Sequence, residues 1–502
     1  MQPGPLDTIV ILGGGTAGWM AAAAIAKAWQ QPGRRIVLVE SEEIGTVGVG
    51  EATVPSIHLF NAMLGLDTAE MMRATGATFK LGIEFTGWGG IGRCYMHPFG
   101  GFGANAQDRL FGPLWLKYAA QDPDAVLDTY SLNAVAAQAG RCDLTPPGGQ
   151  GVAMTYALHF DAGLYARYLR AYAERRGVTR REGQAVGVDR NAETGFIRSL
   201  TLASGEVVAG DFFIDCSGFR GMLIGQALEV AYDDWSAWLP CDRAVAVASE
   251  NTGPPAPYTR AIADTAGWRW RIPLQHRAGN GHVYASAFLD DNTAEARLLA
   301  EIDGAVLSPP RRLRFTTGRR QAAWRHNGLA LGLAAGFLEP LESTSIHLIQ
   351  TSILRFLSLF PDKGFEPAEI AEFNRQTREE YDDIRDFLIT HYKLTQRDDS
   401  AFWRYCRDMA VPDRVVETLD LFAARGRLRA RPEHLFSPTS WLAMLAGQGL
   451  KPRGIDPLLH GLPADQLAGH MRRVRDGLQR AAEAMPSHQA LIDRVCRAAQ
   501  DA

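Results

Sequence analysis

The pattern of apolar and polar positions predicts that strands and helices alternate in the first part of the chain. The β-branched run 8–12 is followed by a glycine-rich turn and by an alanine-rich segment at 19–28. A second apolar run at 35–39 predicts another strand, and 158–176 has the period of an amphipathic helix. Residues 197–202 alternate like a strand and lead into a Ser-Gly turn. Alternation of this kind is typical of an α/β fold.

The last third of the chain has a different pattern. Residues 369–392 and much of 462–500 are charged, alanine-rich and helical in period. The intervening stretch 430–461 contains four prolines, which predicts irregular connections. We therefore predict a helical C-terminal region over residues 361–502 that follows a core over residues 1–360.

Three shorter segments bear on a binding site. Residues 54–80 have a helical pattern, so Lys80 is expected near a helix end, where a lysine between apolar neighbours is usually a surface residue. Residues 95–103 contain a proline and three glycines, which predicts a loop that presents aromatic faces and an imidazole to a pocket, or simply packs beneath itself. Trp268 and Trp270 alternate along a strand and share one face, either as a pocket wall or as core packing.

Composition and charge narrow the class of protein. The 502 residues are 46% hydrophobic and 22% charged, which is ordinary for a soluble globular protein of two or three domains. A net charge of −4 gives no argument for nucleic acid or an anionic membrane, and no run approaches the ~20 apolar residues of a membrane span. The N-terminus lacks a signal-peptide pattern, and the six scattered cysteines form neither a zinc motif nor a disulfide framework. A cytoplasmic protein is therefore expected.

The turn after the first strand carries the residues of a dinucleotide site. Gly13, Gly15 and Gly18 form Gly-x-Gly-x-x-Gly between a strand and a helix, as a tight turn, a close diphosphate contact and close helix packing require. Glu40 ends the next strand 22 residues after Gly18, where a carboxylate receives ribose hydroxyls. Asp215, at the end of a later apolar strand, is a candidate second contact, with an ordinary strand-to-turn junction as the alternative.

Five short motifs are spread over most of the chain. They are Gly-Gly-Gly-Thr-Ala-Gly-Trp at 13–19, Gly-Val-Gly-Glu-Ala-Thr at 48–53, Phe-Lys-Leu-Gly at 79–82, Trp-Arg-Trp-Arg-Ile-Pro at 268–273 and Pro-Leu-Glu-Ser-Thr at 340–344. Together they resemble the flavin-dependent halogenases of the tryptophan halogenase family. In that family the Trp-x-Trp-x-Ile-Pro signature separates halogenases from flavin monooxygenases.

The resemblance implies a Rossmann-like FAD-binding domain, interleaved with a mixed β-sheet substrate region mainly at about 80–160 and 225–320, as in aromatic hydroxylases. A separate NADH-dependent flavin reductase would supply reduced FAD. With oxygen and halide, the reduced cofactor would yield hypohalous acid, which reaches the arene through an internal tunnel. No metal is implied, and the protein is expected to be a monomer or homodimer. The residues implied to bind FAD are Gly13, Gly15, Thr16, Ala17, Gly18, Glu40, Val49, Gly50, Glu51, Ala52, Val186 and Ile346.

The same resemblance implies roles at the reacting centre. Lys80 would direct or carry the halogen, by hydrogen bonding or as a haloamine. Glu342 would orient the electrophile or accept the proton lost from the arene. The backbone around Thr344 and Ser345 would bind the halide, either bromide or chloride. The residues implied to line the substrate site are His97, Phe99, Trp268 and Trp270.

Three departures from the family pattern predict how this chain differs. Ser345 replaces the usual glycine, and its Cβ disfavours positive φ, so we expect a reshaped halide loop that favours bromide. Leu333 replaces a polar residue, which predicts weaker FAD binding. The segments 436–441 and 447–452 do not match the lid that clamps free tryptophan, so an open site for indole or a larger indole-bearing molecule is expected.

Two other functions remain open on the sequence alone. A flavin monooxygenase that hydroxylates an aromatic substrate is the nearest alternative, and the paired tryptophans with Lys80 argue against it. A flavin-binding sensor or assembly subunit without catalysis is an alternative of another class. Only Leu333 and Ser345 favour it, whereas the presence of both Lys80 and Glu342 argues for an enzyme.

Overall fold

The structure is a computed structural model that describes residues 4–42, 50–103, 111–145, 154–429 and 434–498. The strands are β1 (Thr8–Leu12), β2 (Arg35–Glu40), β3 (Gly50–Ala52), β4 (Thr78–Lys80), β5 (Gly82–Thr86), β6 (Cys94–Pro98), β7 (Ala157–Asp161), β8 (Val178–Glu182), β9 (Ala185–Arg190), β10 (Ile197–Leu202), β11 (Val207–Ala209), β12 (Phe212–Asp215), β13 (Tyr232–Asp234), β14 (Arg243–Ser249), β15 (Thr259–Asp264), β16 (Gly267–Pro273), β17 (Ala278–Tyr284), β18 (Arg311–Arg314), β19 (Gly318–Arg320), β20 (Trp324–Arg325), β21 (Gly328–Ala330) and β22 (Gly336–Phe337). The helices are α1 (Thr16–Ala28), α2 (Ile57–Leu64), α3 (Thr68–Thr75), α4 (Phe111–Ala119), α5 (Leu132–Gln138), α6 (Ala162–Glu174), α7 (Asp291–Ala300), α8 (Ser345–Ser358), α9 (Pro367–Lys393), α10 (Ala401–Asp408), α11 (Asp413–Arg425), α12 (Pro438–Gly447), α13 (Ala464–Glu483) and α14 (His488–Val495).

A six-stranded sheet positions the predicted cofactor turn. Its strand order is β20-β21-β12-β1-β2-β8, and all neighbours are parallel except β20 and β21. All five residues of β1 are buried, as expected for a parallel strand covered on both faces. Helix α1 connects β1 to β2 and is buried from Gly18 to Ala26. The predicted α/β fold with a Rossmann-like first unit is confirmed.

A seven-stranded mixed sheet forms the second layer. Its order is β18-β14-β17-β16-β15-β5-β6, with antiparallel neighbours except for the parallel pair β15 and β5. Trp268 and Trp270 lie on β16 with their ring centres 6.1 Å apart. The alternation of β16 therefore places both indoles on one face, as the sequence predicted.

The helical pattern predicted over 54–80 corresponds to two separate helices and is wrong for the last residues, 76–80. Two short helices, α2 and α3, end at Gly65 and Gly76, both in the left-handed conformation (φ +73° and +59°). The chain then extends into β4, which pairs with β7 and carries Lys80. β7 also pairs with β3, so the three-stranded sheet β3-β7-β4 brings Glu51 and Lys80 into one small unit. In the motif at 48–53, the residues Gly50–Ala52 form β3, and residues 43–49 lie outside the described part of the chain.

Two predicted loops also contain regular elements. His97 lies on β6 rather than in a loop, because Pro98 occupies the end of an edge strand, where a missing N–H is tolerated. The prolines of 430–461 predicted irregular connections, yet Pro438 is the first residue of α12, where its fixed φ suits a helix start. Proline marks an element boundary in both places.

The C-terminal helices are predicted correctly in outline. The 27-residue helix α9 spans the predicted 369–392, and its last turns, from Ile384 to Tyr392, are mostly buried. Helices α13 and α14 account for the helical pattern at 462–500. None of the helices in the described part of the chain is long and apolar enough to cross a membrane.

Candidate active site

A cavity of about 880 Å³ runs between the parallel sheet, β16 and the start of α8. It opens at the glycine turn and reaches the segment that carries the predicted halide residues. The predicted site residues that line it are Gly13, Gly15, Thr16, Ala17, Glu40, Glu51, Ala52, Trp270, Ser345 and Ile346, together with Leu333. Since these residues come from distant parts of the chain, the fold assembles one elongated site from most of the predicted cofactor residues.

The glycine turn leaves room for a phosphate group. Gly13 has φ +114°, and a Cβ there would lie 2.2 Å from the carbonyl oxygen of Cys216. A Cβ on Gly18 would lie 1.8 Å from the carbonyl oxygen of Gly13, so only glycine allows α1 to approach the turn. The N-terminus of α1 has no acidic residue in its first turn and no capping side chain from the described residues. Its free N–H groups therefore fit the diphosphate of a dinucleotide.

Glu40 ends β2 at the rim of the same cavity. One carboxylate oxygen, Oε1, is held by the guanidinium of Arg180, while Oε2 points toward Gly14. Glu51 faces the cavity from β3, and burial raises its pKa to about 7. Two acidic side chains, Glu40 and Glu51, therefore lie along the cavity. Glu40 occupies the end of β2, where a carboxylate binds ribose hydroxyls in Rossmann-like folds.

Three other positions that the sequence predicted to contact the cofactor are not among the described residues that line the cavity. Val186 lies on β9 with an exposed side chain, next to Ala185, which lines the cavity. Val49 lies outside the described residues. The fully buried Asp215 accepts hydrogen bonds from the N–H groups of Leu223 and Ile224, at 2.7 and 2.9 Å, so its carboxylate is occupied within its own turn.

Replacement of Gly18 by alanine is expected to lower both FAD affinity and stability, because the new Cβ collides with backbone. Gly477 is the matched control, since it is also helical and a Cβ there would meet no atom of the described residues within 4 Å. Gly477→Ala should raise the free energy of unfolding by about 0.5–1 kcal/mol and leave FAD binding unchanged. Flavin fluorescence titration and thermal unfolding of both variants measure the two effects. Equal FAD affinity in Gly18→Ala and wild type would contradict this assignment of the turn.

Lys80 is completely buried, contrary to the surface position that its neighbours suggested. Its Nζ donates to the carbonyl oxygen of Thr53 at 3.0 Å and to Ser343 Oγ at 2.7 Å. The ring centre of Phe99 lies 5.0 Å from Nζ. Burial lowers the pKa of Lys80 to about 7, although the negative charge of Glu342 opposes the shift. The lysine is therefore held in a dry environment in which it exchanges its proton near neutral pH.

Glu342 is buried between two histidines. His97 Nδ1 lies 2.8 Å from Oε2, and His391 Nε2 lies 2.7 Å from Oε1. Burial alone would raise the pKa of Glu342, but His97 and His391 outweigh it and lower the pKa to about 2. The carboxylate is therefore ionised, and both ring nitrogens donate to it. His391 Nδ1 is then free to accept from the Tyr95 hydroxyl, which lies 3.1 Å away.

The segment after Glu342 forms the start of α8. Ser343 has a positive φ of +60°, and Thr344 is the N-cap with φ −89°. Ser345 is the first helical residue, so the strain expected there falls on Ser343 instead, and the argument for a loop reshaped by Ser345 is wrong. The Thr344 side chain is fully buried, and its hydroxyl has no hydrogen-bond partner among the described residues. An unpaired donor at a helix N-terminus fits a small anion.

The two catalytic candidates meet beside the cavity rather than inside it. Neither Lys80 nor Glu342 lines the large cavity, but Ser343 does, and it accepts the hydrogen bond from Lys80. This hydrogen bond joins positions 263 residues apart in the sequence. Ser343 thus links the cofactor cavity to the lysine by a direct hydrogen bond.

The predicted substrate-lining residues form two groups. His97 and Phe99 lie next to Glu342 and Lys80. Trp270 lines the large cavity, whereas Trp268 packs behind it and is 1% exposed. The indoles are thus on the cofactor side, whereas His97 and Phe99 lie beside the two catalytic candidates.

Several site residues escaped the residue-by-residue reading of the sequence. His391 lies in the segment 389–392, which also resembles the tryptophan halogenase family, but its position at the end of an amphipathic helix assigned it no partner. Tyr95 and Ser343 likewise carry no local signal of a role. The motif that contains Ser343 marked the segment, but only the fold shows which side chain of that motif contacts Lys80.

Comparisons with known proteins agree with this geometry. A family model described as tryptophan halogenase matches residues 8–464. Tryptophan 6-halogenase ThaL from Streptomyces albogriseolus is 34% identical over 536 aligned residues, covering 97% of this chain and 98% of that protein. Among solved structures, Xcc4156, a flavin-dependent halogenase from Xanthomonas campestris, has a TM-score of 0.95 at 46% identity, covering 99% of this chain and 100% of that one. BrvH, a flavin-dependent halogenase from Brevundimonas sp. BAL3, has a TM-score of 0.93 at 45% identity, covering 98% and 99%.

The fold and site are those of a flavoprotein oxidoreductase with a buried lysine and carboxylate beside its cofactor cavity. The chain belongs to the tryptophan halogenase family and is a flavin-dependent halogenase. This result confirms the class of enzyme, the flavin cofactor and the fold inferred from the five sequence motifs.

Proposed function

We propose that this enzyme halogenates indole or an indole-bearing arene and prefers bromide to chloride. Reduced FAD comes from a separate NADH-dependent flavin reductase, and hypohalous acid is the halogenating agent. The observation that carries the proposal is the buried hydrogen bond from Lys80 to Ser343, which connects the cofactor cavity to the pair formed by Lys80 and Glu342. A dry connection of this kind suits an oxidant that is unselective in water.

The cofactor is held by the residues around the large cavity. The N-terminus of α1 binds its diphosphate, and Glu40 receives ribose hydroxyls. When bound in its reduced form, FAD would supply two electrons to oxygen, and oxygen is the oxidant that converts halide to hypohalous acid, with water as the second product. The Trp270 wall and Leu338 exclude water from that part of the cavity. Leu333 offers no polar contact from its position on the cavity wall, and weaker FAD binding follows from it.

The halide binds at the N-terminus of α8. The N–H of Ser345 belongs to the first helical turn, and the hydroxyl of Thr344 lacks any other partner within the described residues. Both groups are donors, and the helix dipole adds to their attraction for an anion. Bromide is preferred because it is oxidised more readily than chloride, and a simple donor pair does not reject the larger ion.

Lys80 directs the hypohalous acid toward the arene. Its Nζ already donates to Thr53 and Ser343, so an ammonium keeps a third hydrogen for the oxidant. Donation to the oxygen atom of hypohalous acid makes the halogen more electrophilic and fixes its position. Phe99 packs beside the ammonium and covers it from water.

Glu342 accepts the proton that the arene loses on substitution. The carboxylate is ionised because His97 and His391 both donate to it. An ionised carboxylate near the reacting carbon stabilises the cationic intermediate and then removes its proton. The two histidines also fix both oxygens of Glu342, which keeps the base in one orientation.

The arene occupies an aromatic site beside His97. The ring of Phe436 lies 3.8 Å from that of Phe387 and is stacked on it, and both rings lie within 6.2 Å of the His97 ring. Trp441 packs edge-on against Phe387 at 4.8 Å. Flat apolar faces of this kind suit an indole ring. Since the segments 436–441 and 447–452 do not match the lid that clamps free tryptophan, an open site for larger indoles is part of the proposal.

The proposed roles are divided between two parts of the chain. The core over residues 1–360 holds the cofactor and the reacting residues, and the region over 361–502 completes the substrate site through His391 and Phe436. A cytoplasmic location fits the six cysteines, none of which forms a disulfide in the described part of the chain. Oxidation of these thiols would be avoided in a reducing compartment.

The deciding experiment is a mass-spectrometric product assay with indole, NADH and a flavin reductase, in which bromide and chloride compete. A product with the bromine isotope pair supports the proposed reaction and the halide preference. Mainly chlorinated product overturns the preference alone. A product that gains only oxygen identifies an aromatic hydroxylase, and an absence of product with good FAD binding favours a non-catalytic flavoprotein.

The rate of halogenation is expected to fall as the pH rises through about 7, because Lys80 then loses the proton that it donates to the oxidant. Glu342 gives no acidic limb in the working range, since its pKa is lowered to about 2. Initial rates between about pH 5.5 and 9, with flavin reduction kept in excess, measure the profile. A rate that instead rises through pH 7 would show that the neutral amine reacts, as a haloamine mechanism requires.

A further inference from the structure

Glu339 is a buried carboxyl group three residues before Glu342, and the mechanism above gives it no role. Its side chain is 0% exposed. Its Oε2 accepts hydrogen bonds from Trp268 Nε1 and from the Tyr392 hydroxyl, each at 2.7 Å. Its Oε1 is buried without a hydrogen-bond partner in the described part of the chain. Among the described residues, no basic side chain forms an ion pair with it.

The surroundings of Glu339 favour a protonated carboxyl group. An ionised carboxylate here would be a buried charge without a cation, which is far more costly than a buried neutral acid. Burial raises the pKa of Glu339 to about 7, although the hydrogen bonds from Trp268 and Tyr392 oppose the shift. The other titratable groups packed against it are Tyr392, Cys241 and Cys406, which are neutral at physiological pH and bring no positive charge.

The two donors to Glu339 belong to different parts of the site. Trp268 lies behind Trp270, which forms a wall of the cofactor cavity. Tyr392 is the neighbour of His391, which donates to Glu342. Two consecutive residues at the end of α9, His391 and Tyr392, therefore donate to Glu342 and Glu339, respectively. Glu342 is ionised, and the surroundings of Glu339 favour the neutral acid.

From this arrangement we infer that Glu339 is a positioning residue, which as a neutral acid ties the Trp268–Trp270 wall and the end of α9 to the segment that carries Glu342 and the halide site. Nothing that reacts touches Glu339. Its loss releases the indole N–H of Trp268 and the hydroxyl of Tyr392, both buried, and the segment before Glu342 can then shift. The expected consequence is oxidant that forms but does not reach the arene.

The inference rests on the proposed function, so its test has one part that requires halogenation and one that does not. The first part compares Glu339→Gln and Glu339→Ala in bromoindole formed per NADH oxidised. Glutamine reproduces the shape and the acceptor oxygen of a neutral acid, so Glu339→Gln should retain the wild-type ratio. Glu339→Ala should lower it about 10-fold or more, since a displacement of about 1 Å near a reacting centre can cost about 100-fold in rate. The KM for indole should stay within about twofold of wild type, because the arene does not contact Glu339.

Tyr392→Phe and Tyr284→Phe form a matched pair of controls. Each removes the hydroxyl of a buried tyrosine that donates to a carboxyl group, but Tyr284 donates to Asp291 at 2.8 Å, away from the site. Tyr392→Phe should lower the product ratio, and Tyr284→Phe should not. This pair also keeps the inference testable when Glu339→Ala does not fold.

The second part is an infrared difference spectrum of wild type minus Glu339→Gln at pH 6. The difference should contain a positive protonated-carboxyl C=O band from Glu339, whether or not any arene is halogenated, because the bands of other protonated carboxyl groups such as Glu51 are common to both proteins and cancel. Its absence would overturn the neutral state of Glu339. A folded Glu339→Gln as defective as Glu339→Ala would show that the carboxylate charge matters, and an unchanged product ratio in Glu339→Ala would exclude a positioning role.

Discussion

Lys80→Ala is expected to leave no detectable halogenated product, a loss of about 10³-fold or more, which lies in the range of groups that act directly on a transition state. The flavin should still be bound and reoxidised, because Lys80 does not line the cofactor cavity. Oxidant would then form without being directed to the arene. Product mass spectrometry alongside oxygen and NADH consumption separates these two effects.

Lys80→Met adds a test of the buried charge. Below pH 7 the ammonium is charged in the folded and the unfolded protein, and burial costs on the order of 5 kcal/mol, as the fall of the pKa from 10.5 to about 7 implies. The folded-state pKa is the lower one, so this cost shrinks as the pH rises from about 7 toward the unfolded value. The unfolding temperature of Lys80→Met relative to wild type should therefore be higher at pH 6 than at pH 9, because the loss of the donor to Thr53 and Ser343 is common to both pH values.

Lys117→Met is the matched control for Lys80. Lys117 is also a buried lysine, and its Nζ donates to the carbonyl oxygens of Leu459 and Leu462 at 2.6 and 2.7 Å. Its replacement should lower the unfolding temperature, since two buried acceptors lose their donor, and leave the halogenated product unchanged. Loss of product in both lysine variants would show that the effect comes from stability rather than from the chemistry at Lys80.

The sequence was sufficient for the elements whose pattern is local. β1, the glycine turn and α1 follow from a β-branched run, three glycines and a stretch of alanines, and each signal agrees with the next. The shared face of Trp268 and Trp270 follows from the two-residue period of a strand. Long α9 follows in the same way from a sustained helical period. In these elements local propensity and tertiary packing favour the same structure.

The incorrect predictions of helices and loops arose where one residue type is compatible with two kinds of local structure. Gly76 ends α3, and this glycine decides that Lys80 lies on a strand rather than a helix. Pro98 ends β6 and Pro438 begins α12, although proline is more often a sign of a loop. The burial of Lys80 could not be predicted either, because its acceptors on Thr53 and Ser343 come from segments far apart in the chain.

The contact of two histidines with Glu342 is the feature of the site that the sequence predicted least well. His97 and His391 are almost three hundred positions apart, and no local pattern assigns them to one carboxylate. Only the packing of α9 against β6 and the segment before α8 brings them together. The motifs identified the candidate reacting residues Lys80 and Glu342, whereas the fold was needed to find the side chains that set the charge of Glu342.

Glu342→Gln is expected to lower the rate of product formation about 10²–10⁴-fold, because an amide cannot accept the proton of the arene. The variant should also unfold at a lower temperature at pH 7. The folded-state pKa of about 2 lies below the unfolded value of about 4.3, so the ionised group contributes on the order of 3 kcal/mol above pH 4. That contribution is lost as the pH falls from about 4 toward 2, and the difference between variant and wild type should shrink over the same range.

Asp264→Asn separates the chemical effect of Glu342→Gln from the loss of a buried ion pair. Asp264 lies outside the site and forms ion pairs with Arg269 and Arg297, each at 2.9 Å. Despite its burial, the pKa of Asp264 is lowered by the hydrogen bond from the Thr265 backbone N–H, by His282 and by these arginines. Its variant should lose stability in the same way and still form product at the wild-type rate. A Glu342→Gln enzyme that keeps its rate while losing stability would assign the proton to another acceptor, and His97, a predicted substrate-lining residue that contacts Glu342, is the first candidate. The residual rate would then fall on further replacement of His97 by asparagine, which measures how the proton leaves the site.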